Sequence, residues 1–177
     1  MSELQTGVIG GTEKRDITIV PYDSEWPRKY QKHADRIKAA LGDVAQKIEH
    51  IGSTSVPGLA AKPIIDMLVV VPDSSDESAY LGQLQSVGYE LRVREPDFEE
   101  HRMMRTPEKD VHIHIFSPGS FEAARYLIFR NRLRSDREAL SRYEAVKREL
   151  AAKDWPDMNA YADAKTKVIE EIIASAR

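Results

Sequence analysis

The sequence predicts an α+β domain: strands and helices are mixed through residue 116, and everything after is helical. Two observations carry this. Residues 63–71, Pro-Ile-Ile-Asp-Met-Leu-Val-Val-Val, are apolar on both alternation phases except at Asp66, the pattern of an inner strand covered on both faces. After Phe116 the apolar period changes from that of a strand to that of a helix and stays there. At 177 residues, the chain matches one domain of ordinary size.

The elements follow in order. Residues 1–15 have three glycines and no apolar period, so they are expected to form a flexible arm before a single domain over 16–177. Residues 16–20 are β-branched and alternate, a short strand ended by Pro21. Ser24 stands as a cap before Trp26-Pro27, and Tyr30, Ala34, Ile37, Ala40 and Leu41 recur at helical spacing until Gly42. Residues 44–51 read as a strand running into the turn-rich segment 52–59. After the 63–71 strand and Pro72, residues 73–77 supply caps and acids for a helix to about Val87, closed by Gly88. Residues 89–94, 100–106 and 111–116 are short strands separated by Pro-containing turns. Beyond Ser120, Phe121, Ala124, Leu127 and Ile128, then Leu140, Tyr143, Val146 and Leu150, mark buried helical faces, with a break near Trp155-Pro156-Asp157.

Composition excludes several classes of function. The 26 Lys and Arg against 29 Asp and Glu give a formal charge of -3, so no global positive field draws nucleic acid or anionic lipid, and phosphate chemistry must rest on a local cluster. The absence of cysteine excludes a thiol nucleophile, a thiolate zinc site and an iron–sulfur cluster. No apolar run approaches a membrane span, and the opening residues lack a secretion-signal core, so a soluble cytoplasmic protein is expected.

Four places can carry chemistry. Gly52-Ser53-Thr54-Ser55 follows a strand, and its hydroxyls and backbone N–H groups suit phosphate oxygens, although a short Gly-Ser turn also occurs for purely local reasons. Lys62 and Asp66 follow within a dozen or so residues. A carboxylate in an apolar strand needs a hydrogen-bond partner, a cation or a metal. His112 and His114 leave the same face of their strand and, with Asp66, supply either ligands for one divalent ion or groups for proton transfer; packed, satisfied imidazoles are the alternative. Arg130 and Arg134 share a helix face suited to bidentate phosphate contacts, or else form a solvated face paired with glutamates. Tyr161 and Lys165 show the same spacing on the last helical segment, where Lys165 can reach a phosphate, an ordinary surface lysine being the commoner alternative.

Together these residues resemble the GrpB family, the dephospho-CoA kinase/protein-folding accessory domain family. The resemblance rests on Val20-Pro-Tyr-Asp23 with Trp26-Pro27, on His50-Ile-Gly-Ser-Thr-Ser-Val-Pro-Gly-Leu59, on Lys62-Pro-Ile-Ile-Asp66 and on Val111-His-Ile-His114. The Phe129-to-Arg134 helix and Tyr161 with Lys165 complete it, in the family's order. It implies a nucleotidyltransferase fold of the DNA polymerase beta kind: a mixed sheet with flanking helices and a helical C-terminal part. In that superfamily a Gly-Ser turn binds the nucleotide and three strand acids hold divalent metal. Carried over by position, Gly52-Ser53 matches the turn and Asp66 the second acid. The first acid falls at Ile64, and the third falls on the strand of His112 and His114. Imidazoles with one acid suit zinc, manganese or iron better than magnesium.

The resemblance therefore implies either metal-assisted nucleotidyl or phosphate transfer, or a nucleotide- or coenzyme A-binding module without turnover. A partner-binding accessory linked to dephospho-CoA kinase is a third reading. In the first, Asp66, His112 and His114 would hold the ion, Ser53 to Ser55 would position phosphates, and Lys62, Arg130, Arg134 and Lys165 would neutralise charge.

Overall fold

The computed structural model describes residues 4–175. It contains one six-stranded sheet: β1 (Gly7–Val8), β2 (Lys47–Ile51), β3 (Ile65–Val70), β4 (Glu90–Glu95), β5 (His101–Arg105) and β6 (Val111–Phe116). The order is β1-β4-β5-β6-β3-β2, with β3 and β6 parallel and every other pair antiparallel. The helices are α1 (Trp26–Leu41), α2 (Leu81–Gln85), α3 (Phe121–Ser135), α4 (Arg137–Ala151), α5 (Met158–Ala164) and α6 (Thr166–Ser175). This is the mixed sheet with flanking helices and helical C-terminal part that the sequence implies.

The strand that is apolar on both phases lies inside the sheet because both of its faces are covered. Ile65, Met67 and Val69 pack with Val111, Ile113 and Ile115 against α1 and the region of α2. Leu68 and Val70 pack on the opposite face with Ile51 and Phe116 against Ala123, Tyr126 and Leu127 of α3. A third cluster joins Val56 and Leu59, just after the turn at Gly52, to Leu133, Tyr143, Val168 and Ile172 of α3, α4 and α6. The helical third is thereby fastened to the sheet face that also bears Asp66. Ser120 caps α3 by accepting the Ala123 N–H at 3.0 Å, and Asp136 and Asp157 cap α4 and α5 in the same way.

Four local expectations are corrected. Residues 16–20 form no strand: only Val20 pairs, through two backbone bonds with Ala61, because no second strand lies alongside and Pro21 lacks the next donor. Ser24 does not cap α1; the Asp23 carboxylate accepts the Glu25 N–H at 2.8 Å instead. The helix expected to reach Val87 shrinks to a 3-10 turn at Glu77–Ala79 and the five residues of α2, because Asp73 draws the Ser75 N–H and hydroxyl into a local turn. The opening arm, of which residues 1–3 lie outside the described residues, supplies β1 at the sheet edge. Its Glu13 carboxylate accepts from Arg105 at 2.8 Å and Lys109 at 2.9 Å.

Candidate functional site

The parallel register sets Asp66 directly beside His112, and His114 follows two residues on along the same face. His112 Nδ1 lies 3.7 Å and His114 Nε2 3.5 Å from Asp66 Oδ1. The three groups expected from the sequence to converge are therefore brought together. Burial pushes the Asp66 carboxyl up, and the imidazoles of His114 and His112 with the Lys62 ammonium outweigh it, holding it at about 2. Burial lowers His112 to about 4 against the pull of Asp66, and its buried Nε2 has no hydrogen-bond partner.

Gly52 makes the close approach of turn and strand possible. Its φ is 73°, and a Cβ there would stand 2.6 Å from Asp66 Oδ2 and 2.9 Å from Asp66 Cβ. Ser53, next in the turn, lines the cleft above Asp66. Thr54 and Ser55, expected at a phosphate, are buried and face the backbone instead. The Thr54 hydroxyl donates to Ile64 O at 3.1 Å and the Ser55 hydroxyl donates to Gly52 O at 2.5 Å. Because the Thr54 proton is committed, His50 Nε2, 2.9 Å from Thr54 Oγ1, is the donor in that contact. These two hydroxyls shape the turn.

Two lobes of one cleft meet at Ser53, Asp66, His114 and Lys165. One, of about 310 Å³, is lined by Lys62, Lys147 and Lys165, with Asp66 as its single carboxylate. The other, of about 370 Å³, is walled by Tyr126, Phe129 and Tyr143 with Ile51, Ile169 and Ile173. Lys62 and Lys165 place their ammonium groups 4.9 and 4.7 Å from the ring centre of the fully buried Tyr161. Burial lowers Lys62 to about 7, the Lys165 charge adding to it, and burial also lowers Lys165. Lys147 is buried on the inner face of α4, donates to Ala60 O at 2.8 Å and is likewise lowered to about 7 by burial and its two lysine neighbours.

Lys147 lines the lysine lobe without belonging to any of the sequence motifs above. Its signal is the i+4 spacing from Tyr143 on a helix face otherwise apolar.

Arg130 and Arg134 fall elsewhere, and neither lines these lobes. Arg130 donates to Glu49 at 2.7 Å and His50 O at 3.0 Å, and Arg134 Nε donates to Ser55 O at 3.0 Å. They hold α3 to the back of the turn. Arg130→Ala is expected to lower stability by about 1–3 kcal/mol in chemical denaturation, since it strands a carboxylate and a carbonyl. A variant as stable as wild type would show that these two contacts do not hold α3 to the turn.

Among the described residues no three His, Cys, Asp or Glu side chains form a group that could hold a metal ion. No helix among the described residues is long and apolar enough to cross a membrane.

The sheet order, the Gly-Ser turn abutting an inner-strand acid and the helical cover define a domain of the nucleotidyltransferase-like fold class. Residues 16–175 match the family described as GrpB protein. UPF0157 protein BH1888 of Halalkalibacterium halodurans is 46% identical over 98% of this chain and 90% of its own length. The crystal structure of conserved protein GrpB from Enterococcus faecalis, 32% identical, superposes with a TM-score of 0.78 over 89% of this chain and 98% of that one. The structure of the GLD-2/RNP-8 complex shares the fold at 15% identity, with a TM-score of 0.60 over 85% of this chain and 51% of that one. The chain belongs to the GrpB family.

Proposed function

We propose that this protein binds a phosphate compound of nucleotide type in the two-lobed cleft, its phosphates among Lys62, Lys147 and Lys165 and its planar part against Tyr126, Phe129 and Tyr143. The observation that carries the reading is the convergence of three lysines beside Ser53 with one carboxylate among them. Ammonium groups packed this closely lower one another's affinity for protons, and a polyanion relieves that repulsion. The neighbouring aromatic lobe offers the flat apolar walls that a purine or pyrimidine requires.

Binding is favoured over magnesium-dependent nucleotidyl transfer because Ile64, where the first superfamily acid would fall, lines the lysine lobe with an apolar side chain. A divalent ion enters this reading as one carried in with phosphate oxygens. The protein acts on this reading in the cytoplasm, where nucleoside phosphates are held. Coenzyme A precursors carry the same adenine and phosphate chemistry, which keeps the accessory role beside dephospho-CoA kinase as the second reading.

The test is titration calorimetry of the whole protein with pyrophosphate, ATP and dephospho-CoA, each in EDTA, magnesium and zinc. Saturable binding of ATP, with pyrophosphate weaker and both retained in EDTA, is expected. Tighter binding of dephospho-CoA than of ATP would favour the second reading. Failure of all three at millimolar concentration would overturn the phosphate site.

The same lysines set a pH dependence of stability. Lys62 and Lys147 are lowered to about 7 in the folded protein from an ordinary 10.5, so between these values the unfolded chain binds more protons. Stability of the ligand-free protein therefore rises as pH increases across that window. The midpoint of urea unfolding should increase from pH 7 to pH 9; a flat or falling midpoint would show the ammonium groups to be solvated.

A further inference from the structure

The cleft does not end at its lysines. Beyond Lys62 lies a third lobe of about 290 Å³, which shares Lys62, Ile64 and Met158 with the lysine lobe and takes Arg15 of the opening arm into its wall. The arm is fastened on both sides of this arginine. Ahead of it, the Glu13 carboxylate accepts from Arg105 and Lys109, the Glu13 carbonyl accepts the Met158 N–H of α5 at 3.1 Å, and Lys14 pairs with Asp154 at 2.7 Å. After it, Val20 and Ala61 exchange backbone hydrogen bonds of 2.9 and 3.0 Å, one residue before Lys62. Arg15 is thus carried across from the sheet and α5 to the segment that bears Lys62, and it stands half-buried between these anchors.

Most charges around the third lobe cancel in pairs. Lys109 donates to Glu13 at 2.9 Å, and Asp110 accepts from Lys29 at 2.5 Å. Among the described residues neither Arg15 nor Lys62 has an ion-pair partner. The guanidinium makes one long contact, from Nη1 to Lys109 O at 3.4 Å, which leaves its other N–H donors uncommitted. Burial and the Lys165 charge lower Lys62, and the charge of Arg15 adds to them, so the two cations act on one another across the lobe. An anionic chain that passes Lys62 therefore meets a second cation with donors to spare, and a planar guanidinium can bind two oxygens of one phosphate group.

We propose that Arg15 is a ligand-binding residue that takes the phosphate lying beyond Lys62, so that the site selects chains of three phosphates over chains of two. This rests on the reading of the lysine lobe as a phosphate site, to which it adds a residue from the arm and a preference for length.

The test is titration calorimetry of the whole protein in EDTA with inorganic pyrophosphate and inorganic tripolyphosphate. Wild type is compared with Arg15→Gln and, as a control for net charge, with Arg137→Gln at an exposed position that lines none of the three lobes. Wild type should bind tripolyphosphate about tenfold more tightly than pyrophosphate, the gain expected from one charge-assisted contact. Arg15→Gln should weaken tripolyphosphate about tenfold and pyrophosphate less than about threefold, abolishing the preference, whereas Arg137→Gln should preserve it. The single long bond of Arg15 within the protein means that the urea midpoint of Arg15→Gln should match wild type. Four results would overturn the proposal while leaving the lysine lobe in place: no preference in wild type, a preference that survives Arg15→Gln, an equal loss of both anions in that variant, or the same loss in Arg137→Gln. Failure of wild type to bind either anion would overturn both readings.

Discussion

Gly52→Ala should destabilise the protein by about 2–4 kcal/mol, combining the cost of a side chain at positive φ with that of overpacking. The new methyl carbon would stand 2.6 Å from Asp66 Oδ2 and 2.9 Å from its Cβ, so the carboxylate and the strand behind it must both give way. Urea denaturation reads the stability loss, and the His112 and His114 NMR signals, both beside Asp66, should shift with it. A fully stable variant with unchanged imidazole signals would show that turn and acid are not in contact.

The largest effect on binding is expected from Lys165→Met. Lys165 lines both lobes and, with Lys62, flanks Tyr161, so its loss removes a charge from the junction while retaining much of the side-chain volume. A charge-assisted hydrogen bond contributes about 1.5–3 kcal/mol, which corresponds to a loss of roughly 10- to 150-fold in affinity for pyrophosphate and ATP alike. Lys62→Met should act in the same direction, and the two losses should combine more than additively, because each single removal relieves repulsion on the remaining lysine and so partly offsets its own effect. Titration calorimetry of the two single variants and the double variant measures this. Affinities within threefold of wild type in the double variant would remove the lysine lobe from the account.

Much of the frame was legible in the sequence because it is written in local pattern. The apolar 63–71 run marked an inner strand, its one acid marked the site, and the two-residue spacing of His112 and His114 placed both imidazoles on that acid's face. What escaped depends on pairings between distant residues. Glu13 finds Arg105 and Lys109 across more than ninety residues, which orders part of an arm with no pattern of its own. His101 carries no signal along its own strand; what sets it apart is the stacking of its ring on His114, thirteen residues away. Arg130 and Arg134 have the spacing of an anion clamp, yet Glu49 and two carbonyls lie nearer to them than the cleft does. Thr54 and Ser55 carry suitable hydroxyls, but free backbone acceptors in the tight turn and at Ile64 claim them.

Proton exchange on binding tests the anion site most directly. At pH 8, Lys62 and Lys147, lowered to about 7, are mostly neutral in the free protein. A bound polyanion favours their charged forms, so they must take up protons as it binds. Calorimetric titration of pyrophosphate at pH 8 in buffers of different ionisation enthalpy should show net proton uptake that shrinks toward pH 6 and is reduced in Lys62→Met. Binding with no proton uptake at pH 8, or uptake unaltered by Lys62→Met, would contradict the placement of the phosphate among these lysines.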